Sequence, residues 1–330
     1  AITDWPDHSN NPFGKVLQVL GKPGDNRVEM QSILAEFEFP LAFSRRAEQE
    51  AGQIPVAIPA EEIAARKDFR DVFTITIDPE DAKDFDDALS LRKLESGNYE
   101  VGVHIADVSY YVKPGTTIDR EAFDRGTSVY LVDRVIPMLP EKLSNEVCSL
   151  KPHTHRLCFA AVFELNRKAE IEKEWFGKTV IHSDRRFNYE EVQQIIETGQ
   201  GEYSEEISTL NQLATKLREE RFRKGSINFE TQEVRFRLDD QGKPVSIYIR
   251  EMKDSNKLIE DFMLLANKRV AEKIGKKPGQ RQPKTFVYRV HDVPNPEKLE
   301  VFVQFLKRLG YKMDLTSKKS LAQSFNQLFT

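Results

Sequence analysis

Apolar and polar residues alternate along several short runs of the chain, and this alternation predicts β-strands. Residues 72–77, Val-Phe-Thr-Ile-Thr-Ile, form a predicted strand because β-branched and aromatic residues dominate them. Residues 88–94 and 99–105 flank the turn sequence Glu-Ser-Gly-Asn, so together they predict a β-hairpin. The same kind of pattern predicts strands within residues 156–165 and 178–183.

Helical patterns dominate the second half of the chain. A long helix is predicted over residues 204–224, with Ser204 as its N-cap and Gly225 as its stop signal. A second helix is predicted over residues 255–274, where apolar residues recur at helical spacing. The remaining predictions are a short strand at 286–290 and helices at 296–309 and 317–329.

The first 70 residues predict a different organisation. Residues 13–20 alternate loosely and precede a turn sequence rich in Gly and Pro, so residues 13–45 are interpreted as the tail of a small β-domain. Residues 46–70 combine alanines and glutamates with two prolines, which predicts short helical pieces in a loose linker. A second domain is expected to begin at Asp71.

Composition places the chain among folded proteins outside the membrane. Charged residues make up 31% and apolar residues 39% of the 330 residues, and no apolar run approaches the ~18 residues of a membrane span. Two cysteines provide no disulfide framework, so a reducing cytoplasm is expected. The first residue is Ala rather than Met and no secretory signal follows, which suggests a processed product or an excised fragment.

Residues 78–87, Asp-Pro-Glu-Asp-Ala-Lys-Asp-Phe-Asp-Asp, carry the strongest chemical signal. Six of these ten residues are acidic and only one is basic, and they directly follow the predicted strand at 72–77. Oxygen ligands suit a hard cation such as Mg²⁺ or Mn²⁺, and such ions act on phosphodiesters. A solvated acidic loop is the alternative. The interleaved Phe85 and Ala88 favour a loop tied to a core.

The acidic run resembles the signature of the ribonuclease II family of RNB-domain exoribonucleases, and most closely its bacterial ribonuclease R branch. Further matching blocks are HIADVSYYV at 104–112, RGTSVY at 125–130, IPMLP at 136–140 followed by Leu143 and Ser144, GSINFE at 225–230 and KLIEDFMLLAN at 257–267. The resemblance implies an α+β fold. Residues 1–55 would be the C-terminal part of a cold-shock (OB-fold) β-barrel, and residues 56–330 an RNB catalytic domain with a mixed sheet flanked by helices.

The resemblance implies processive hydrolysis of single-stranded RNA from the 3′ end, with Mg²⁺ (or Mn²⁺) as cofactor and nucleoside 5′-monophosphates as products. Family aspartates that bind metal and act in catalysis match Asp78, Asp84, Asp86 and Asp87. Two bound ions could activate water and stabilise both oxygens of an in-line displacement. Glu80 and Asp81 fall outside the family's ligand set. No obligate protein partner is implied, and a monomer is expected.

Other matches predict contacts with RNA. Tyr130 and Phe229 match residues that stack on the 3′-terminal base, and Tyr189 matches an aromatic residue of the substrate channel. Core packing is the alternative for each aromatic side chain. Glu260 is expected to contact the terminal ribose, with the polar face of a core helix as its alternative. Four basic residues at the end of the helix at 204–224 either complement the helix dipole or face RNA: Arg218, Arg221, Arg223 and Lys224.

Cys148, His153, His155 and Cys158 superficially suggest a zinc site. Their spacing, C-x₄-H-x-H-x₂-C, matches no zinc pattern that we can justify, and the resemblance implies no zinc there. Buried thiols near the start of a strand are the preferred interpretation. His104 is similarly interpreted as a hydrogen-bonded core residue.

The resemblance also has gaps. A later family segment of the Thr-Ser-Pro-Ile-Arg-Arg-Tyr type, whose arginine is thought to assist cleavage, is absent from the 330 residues, as are the S1-type domain and most of the cold-shock region. We therefore expect a fragment whose own activity is in doubt. Two competing hypotheses stay open: a catalytically silent RNA-binding protein of this fold, and an unrelated Mg²⁺ phosphoesterase acting on DNA or nucleotides.

Overall fold

Strands and helices are mixed along the whole chain. The computed structural model describes residues 2–8, 10–227, 233–240, 242–275, 282, 284–290 and 292–329. Its strands are β1 (Ile2–Asp4), β2 (Phe13–Gly14), β3 (Lys67–Phe69), β4 (Thr74–Asp78), β5 (Asp87–Lys93), β6 (Tyr99–Ala106), β7 (Val129–Tyr130), β8 (Val135–Ile136), β9 (His155–Leu165), β10 (Ile171–His182), β11 (Arg185–Asn188), β12 (Glu233–Leu238) and β13 (Pro244–Arg250). Its α-helices are α1 (Asn26–Glu36), α2 (Arg45–Gly52), α3 (Ala60–Ala64), α4 (Val108–Tyr111), α5 (Thr117–Arg125), α6 (Tyr189–Thr198), α7 (Ser204–Arg223), α8 (Asp254–Gly275), α9 (Pro296–Arg308) and α10 (Lys318–Asn326), with a π-helical turn at Lys142–Val147 and a 3₁₀ turn at Gln327–Phe329.

The chain divides into two compact units. The first unit comprises Ala1–Ile54, Val112–Lys142 and Val234–Tyr248, and the second comprises Pro55–Tyr111, Leu143–Glu233 and Ile249–Thr330. In the described part of the first unit, strands occur as the antiparallel pairs β1–β2 and β7–β8 and as the pair β12–β13. Helix α5 ends at the buried Arg125, whose guanidinium lies 3.8 Å from the ring centroid of Phe43. This cation–π contact joins α5 to the segment that precedes α2.

A 7-stranded sheet forms the centre of the second unit, in the order β11-β4-β5-β6-β9-β10-β3. Strand β11 runs parallel to β4 and β3 runs parallel to β10, whereas the other neighbouring strands are antiparallel. Helices α6, α7 and α8 bury their apolar stripes against one face of this sheet. The result is the predicted α+β architecture, a mixed sheet flanked by helices.

The core between sheet and helices follows from alternation along each strand. In β6, Val101 and Val103 are buried in this core, whereas Gly102 and His104 point to the opposite face. The helices contribute buried residues at helical spacing, including Ile207, Leu210, Leu213 and Ala214 of α7 and Leu258, Phe262 and Ala266 of α8.

A buried polar row crosses the opposite face of the sheet. The His104 ring lies between two hydroxyl groups, with Nε2 2.9 Å from Ser90 Oγ and Nδ1 3.1 Å from Thr179 Oγ1. Burial, with a contribution from the charge of Lys67, lowers the pKa of His104 to about 3. A Cβ atom on Gly102 would lie 2.4 Å from both His104 Nε2 and Ser90 Oγ, so the row requires glycine there. His104 is thus a hydrogen-bonded core residue, as predicted.

Most predicted elements are confirmed, including the hairpin β5–β6 and the helices α7 and α8. Three predictions were wrong. Of residues 13–20, whose loose alternation indicated β-structure, only Phe13–Gly14 form a strand, and residues 286–290 form no strand. Ser204 is the first residue of α7 rather than its N-cap, because Tyr203 occupies the cap position in the left-handed conformation. Among the described helices, none combines the length and apolarity needed to cross a bilayer.

The buried neutral His104 predicts a pH-dependent stability. Between pH 6.5 and about 3 the unfolded chain binds a proton at this residue and the folded chain does not, so this contribution to stability is lost as the pH falls. Lowering the pH from 7 to 5 should cost the wild type about 2 kcal/mol more than a His104→Gln variant. Urea unfolding of both proteins at the two pH values measures this difference. Equal losses in both proteins would contradict the prediction.

Candidate active site

The four predicted metal-binding aspartates lie at one end of two neighbouring strands. Asp78 is the last residue of β4 and Asp87 the first residue of β5. Asp84 and Asp86 lie in the connection between them, residues 79–86, which we call the acidic loop. Asp78 is 8% exposed, Asp84 and Asp87 are half-buried, and Asp86 is exposed.

The acidic loop is anchored to the rest of the second unit at Phe85. Phe85 is buried, and its carbonyl accepts a hydrogen bond from the Leu150 N–H at 2.8 Å. The next carbonyl, that of Asp86, accepts from the Ala106 N–H at 3.0 Å. These contacts exclude the alternative of a loop that is solvated along its whole length.

The aspartates influence one another's ionisation. Burial raises the pKa of Asp78 to about 7, and the charges of Asp87 and Asp86 raise it as well, whereas the nearby Thr76 hydroxyl and the charge of Arg186 act to lower it. Desolvation and the charges of Asp84 and Asp87 raise the pKa of Asp86 to about 6. Burial raises the pKa of Asp87, also to about 6. Three acids in one place therefore resist ionisation, which is typical of functional sites.

The chemistry of these residues fits a hard divalent cation. Oδ2 of Asp78 is buried and has no hydrogen-bond partner among the described residues, so an oxygen donor is left over. A cation would offset the repulsion that raises the three pKa values. However, in the part of the chain that the structure describes, no three His, Cys, Asp or Glu side chains are arranged so that they could hold a metal ion. The donor types fit, and no complete ligand shell is formed.

Tyr189 lies beside these aspartates. It is the first residue of α6, which Asn188 and Glu191 cap reciprocally through a capping box. Its half-buried ring packs against the core, and the Arg250 guanidinium lies 5.4 Å from the ring centroid. Burial and the neighbouring charges of Asp78 and Asp87 raise its pKa to about 12. Tyr189 thus contributes to the core and also borders the acidic site.

The two residues predicted to stack on a base have different outcomes. Tyr130 lies in β7 of the first unit and is 69% exposed, so the alternative of core packing does not hold for it. Phe229 lies outside the described residues. A stacking role stays a prediction for both.

Glu260 and Asp261 are adjacent on α8 but have opposite environments. Glu260 is exposed, with Oε1 3.6 Å from Arg221 Nη2, as expected for the polar face of a core helix. Asp261 is buried and pairs with Arg218 at 2.9 Å and Arg221 at 2.8 Å. Burial raises the pKa of Asp261 and outweighs the two arginines. Contact between Glu260 and a ribose stays a prediction.

These ion pairs change the interpretation of the basic end of α7. Arg218 and Arg221 reach across to α8 and neutralise a buried carboxylate, a role that neither sequence hypothesis contained. Arg223 and Lys224 pair instead with Glu220 on their own helix. Because the spacing of charges along α7 does not reveal its neighbour, sequence reasoning missed the contact between helices.

Asp107, in the block at 104–112, is a structural acid. It is buried and accepts hydrogen bonds from Arg66 and from the Ser109 hydroxyl, both at 2.7 Å. Burial acts to raise the pKa of Asp107, but these bonds and the charge of Arg66 outweigh it, so the pKa is lowered. The sequence block did not distinguish this anchoring aspartate from a catalytic one.

The cysteines of the suspected zinc pattern are both buried and free, as the preferred interpretation predicted. Burial raises the pKa of Cys148 to about 12 and raises that of Cys158 as well. The His155 ring contacts the ring of His182, with their centroids 5.6 Å apart. A buried thiol with a raised pKa is a poor metal ligand, since metals bind the thiolate.

Comparison with known proteins adds the family. An RNB domain model matches residues 66–330, and a cold shock domain model matches residues 1–44. The chain belongs to the RNB family. Both matches confirm the predicted fold class, an RNB-type domain preceded by a partial cold-shock segment.

Relatives of this RNB-family chain include proteins named as nucleases and one named as inactive. It is 40% identical to ribonuclease R of Thermotoga maritima over 96% of the chain and 45% of the relative, and 38% identical to DIS3-like exonuclease 2 of Xenopus tropicalis over 100% of the chain and 41% of the relative. A protein named inactive exonuclease DIS3L2 from Arabidopsis thaliana is 36% identical over 99% of the chain and 32% of its own length. The chain thus spans less than half the length of these relatives.

A solved structure supports the same relationship. Mycoplasma genitalium RNase R in complex with double-stranded RNA aligns with a TM-score of 0.87 and 26% identity, over 99% of this RNB-family chain and 59% of that one. The similarity extends through both units of the chain, because it covers nearly all of it.

Burial of the Asp78 carboxyl group is expected to lower the stability of the metal-free protein. Its raised pKa means that ionising it in the folded state costs stability as the pH rises from about 4 to 7, and that the full cost persists above pH 7. Asp78→Asn should therefore stabilise the metal-free protein at pH 8 by about 1–3 kcal/mol. Denaturant unfolding in the presence of EDTA measures this change in the free energy of unfolding. Asp81→Asn, a substitution of an exposed aspartate in the same loop, is the control. A destabilised Asp78→Asn protein would contradict this expectation.

Proposed function

We propose that the chain is the metal-binding part of a processive 3′→5′ exoribonuclease of the ribonuclease R type. The observation that supports this most directly is the group of coupled aspartates at the ends of β4 and β5, with a buried carboxylate oxygen left without a partner. Holding such a group is costly, and a divalent cation is the ligand that offsets the cost. Single-stranded RNA is the proposed substrate and nucleoside 5′-monophosphates the proposed products.

The residues that would hold Mg²⁺, or Mn²⁺, are Asp78, Asp84, Asp86 and Asp87. When bound, two such ions supply an activated water and stabilise the charge on the attacking and leaving oxygens. The chain's own contribution is positioning: β4 and β5 fix the first and last aspartates, and the acidic loop places the other two. Catalysis of this kind needs no covalent nucleophile.

Aromatic and acidic side chains complete the proposed site. We propose that Tyr130 and Phe229 stack on the terminal base, since stacking tolerates any base and suits a sequence-independent nuclease. Tyr189 would line the channel beside the aspartates, a role that its position next to Asp78 and Asp87 supports. Glu260 would accept a hydrogen bond from the terminal ribose, which its exposure allows.

Other parts of the proposal concern the whole protein. We propose two domains, residues 1–55 and 56–330, and a monomer without an obligate protein partner. The two free, buried cysteines support a reducing, cytoplasmic location. Solved ribonuclease R of Mycoplasma genitalium was captured with ribose-methylated single-stranded RNA, which supports RNA as the substrate class here.

The proposal predicts metal-dependent shortening of RNA from one end. A 5′-labelled single-stranded RNA should yield a ladder descending from the 3′ end with Mg²⁺ and remain intact with EDTA. The assay uses the 330-residue chain and any longer natural protein that contains it. Asp86→Asn should abolish cleavage and spare RNA binding, because it removes a metal ligand and leaves the RNA-contacting residues in place.

A catalytically silent RNA-binding protein is the second candidate, and the inactive Arabidopsis relative favours keeping it. Under this hypothesis neither protein cleaves RNA, with or without Mg²⁺, while both retain it in a binding assay. That outcome would overturn the exonuclease proposal. Membership of the RNB family removes the third hypothesis, an unrelated phosphoesterase.

The proposed contact with a ribose hydroxyl predicts a preference for RNA. RNA and DNA of the same sequence should differ strongly in cleavage rate, and Glu260→Ala should narrow the difference because it removes an acceptor for the 2′-OH. The solvent-exposed Glu219→Ala provides a matched control on α7. Equal cleavage of RNA and DNA by the wild type would contradict the substrate assignment.

A further inference from the structure

The acidic loop is held near Asp84 by a side chain from a distant segment. Ser149 is 0% exposed and follows the π-helical turn at Lys142–Val147. Its hydroxyl donates to the Lys83 carbonyl at 2.8 Å and accepts from the Phe85 N–H at 3.1 Å. One side chain therefore bridges the main chain on both sides of Asp84.

Ser149 is itself fixed by a buried arginine. Nε of Arg156 donates to the Ser149 carbonyl at 2.7 Å, and Nη2 donates to the Glu146 carbonyl at 3.1 Å. The Leu150 N–H adds its bond to the Phe85 carbonyl, so the two segments are joined by both side-chain and main-chain hydrogen bonds. These hydrogen bonds hold the main chain at Ser149 in place and thereby orient its hydroxyl group toward the loop.

The end of the acidic loop next to Asp78 is held by a second side chain. Arg186 lies in β11, where the parallel register pairs it with Thr76 of β4. Its guanidinium donates through Nη2 to the carbonyls of Pro79 and Glu80, the latter at 2.8 Å, and lies 5.5 Å from the ring centroid of Phe85. A planar guanidinium can donate to carbonyls while its flat face lies over an aromatic ring, and an ammonium group has no such planar face.

We propose that Ser149 and Arg186 are positioning residues that set the affinity of the aspartates for a divalent cation by fixing the main chain at both ends of the acidic loop. The inference rests on the proposed function, because it takes the aspartates to be metal ligands. Like charges on a flexible connection separate, and repulsion between Asp84, Asp86 and Asp87 acts in that direction. Hydrogen bonds to the main chain oppose this without consuming any carboxylate oxygen.

A purely structural role would have a different signature. If the two side chains only stabilised the fold, losing them would lower the folded fraction, and the remaining folded protein would bind metal normally. A positioning role instead weakens metal binding in the folded protein. Partners in the outer shell of metal sites typically change affinity by 10–100-fold.

The test is a Mn²⁺ titration of the folded chain at pH 8, followed by electron paramagnetic resonance, with and without a non-cleavable single-stranded oligonucleotide. Ser149→Ala and Arg186→Gln should each weaken Mn²⁺ binding by about 10-fold. Arg186→Lys should lie between Arg186→Gln and the wild type, because it keeps the charge and loses the planar guanidinium. Circular dichroism before each titration confirms that the variant is folded.

Two control variants are matched in position and chemistry. Ser183→Ala removes a buried hydroxyl that bonds only the Arg185 carbonyl among the bonds described for it, at 3.4 Å. Arg185→Gln removes the neighbouring arginine of β11, whose guanidinium pairs with Glu191 and lies over Phe187. Both controls should bind Mn²⁺ like the wild type.

The outcomes distinguish failure of the positioning inference from failure of the proposed metal site. Wild-type binding of Mn²⁺ with unchanged affinity in folded Ser149→Ala and Arg186→Gln overturns the positioning inference and leaves the proposed function intact. Failure of the wild type to bind Mn²⁺ under both conditions overturns the metal site, and the inference with it. A requirement for more Mg²⁺ in RNA cleavage, with the wild-type rate restored at saturation, supports the inference independently.

Discussion

Burial of the Asp78 carboxyl group at the end of a central strand is the constraint on which the rest of the site depends. Strand β4 lies between β11 and β5, and the Asp78 side chain at its end is almost fully buried. Asp86 and Asp87 then lie close to a charge that is costly to maintain. Neighbouring residues offset the cost of this buried charge. The buried Phe85 anchors the loop, and Arg186 supplies a positive charge. Hydrogen-bond donors from other segments bind the loop carbonyls.

The same unit uses buried charge in two other ways. Arg66 with Asp107, and Arg218 and Arg221 with Asp261, are ion pairs that join distant segments and leave no unpaired negative charge to be neutralised by a ligand. Removing one partner from such a pair is expensive because the other stays buried alone. The aspartates of β4 and β5 differ because their positive neighbours are too few. Among the described residues, the buried acids Asp107 and Asp261 are thus paired with arginines, whereas Asp78 is not.

Regular elements were the predictable part of this fold, and contacts between distant segments were not. The alternation of apolar and polar residues around the Glu-Ser-Gly-Asn turn was sufficient to predict the hairpin β5–β6. An apolar stripe at helical spacing was sufficient to predict α8. The prediction of Ser204 as the N-cap of α7 was wrong because Tyr203 occupies that position in a left-handed conformation, which a tyrosine side chain does not favour. Ser149 and Arg186 carried no local signal, since a serine after a cysteine and one of two consecutive arginines look ordinary. The aspartates were found through a family resemblance, whereas the means of holding them became visible only in three dimensions.

The distances along the chain between the acidic loop and its supports have a consequence for folding. Ser149 lies 66 residues from Lys83, and Arg186 lies 107 residues from Pro79. Closing such long segments is slow compared with forming the local hairpin β5–β6. We therefore expect the loop to reach its final shape only after β11 has joined the sheet. A folding chain would pass through a stage with the β5–β6 hairpin formed and the acidic loop not yet held, and the proposed cation site would form last.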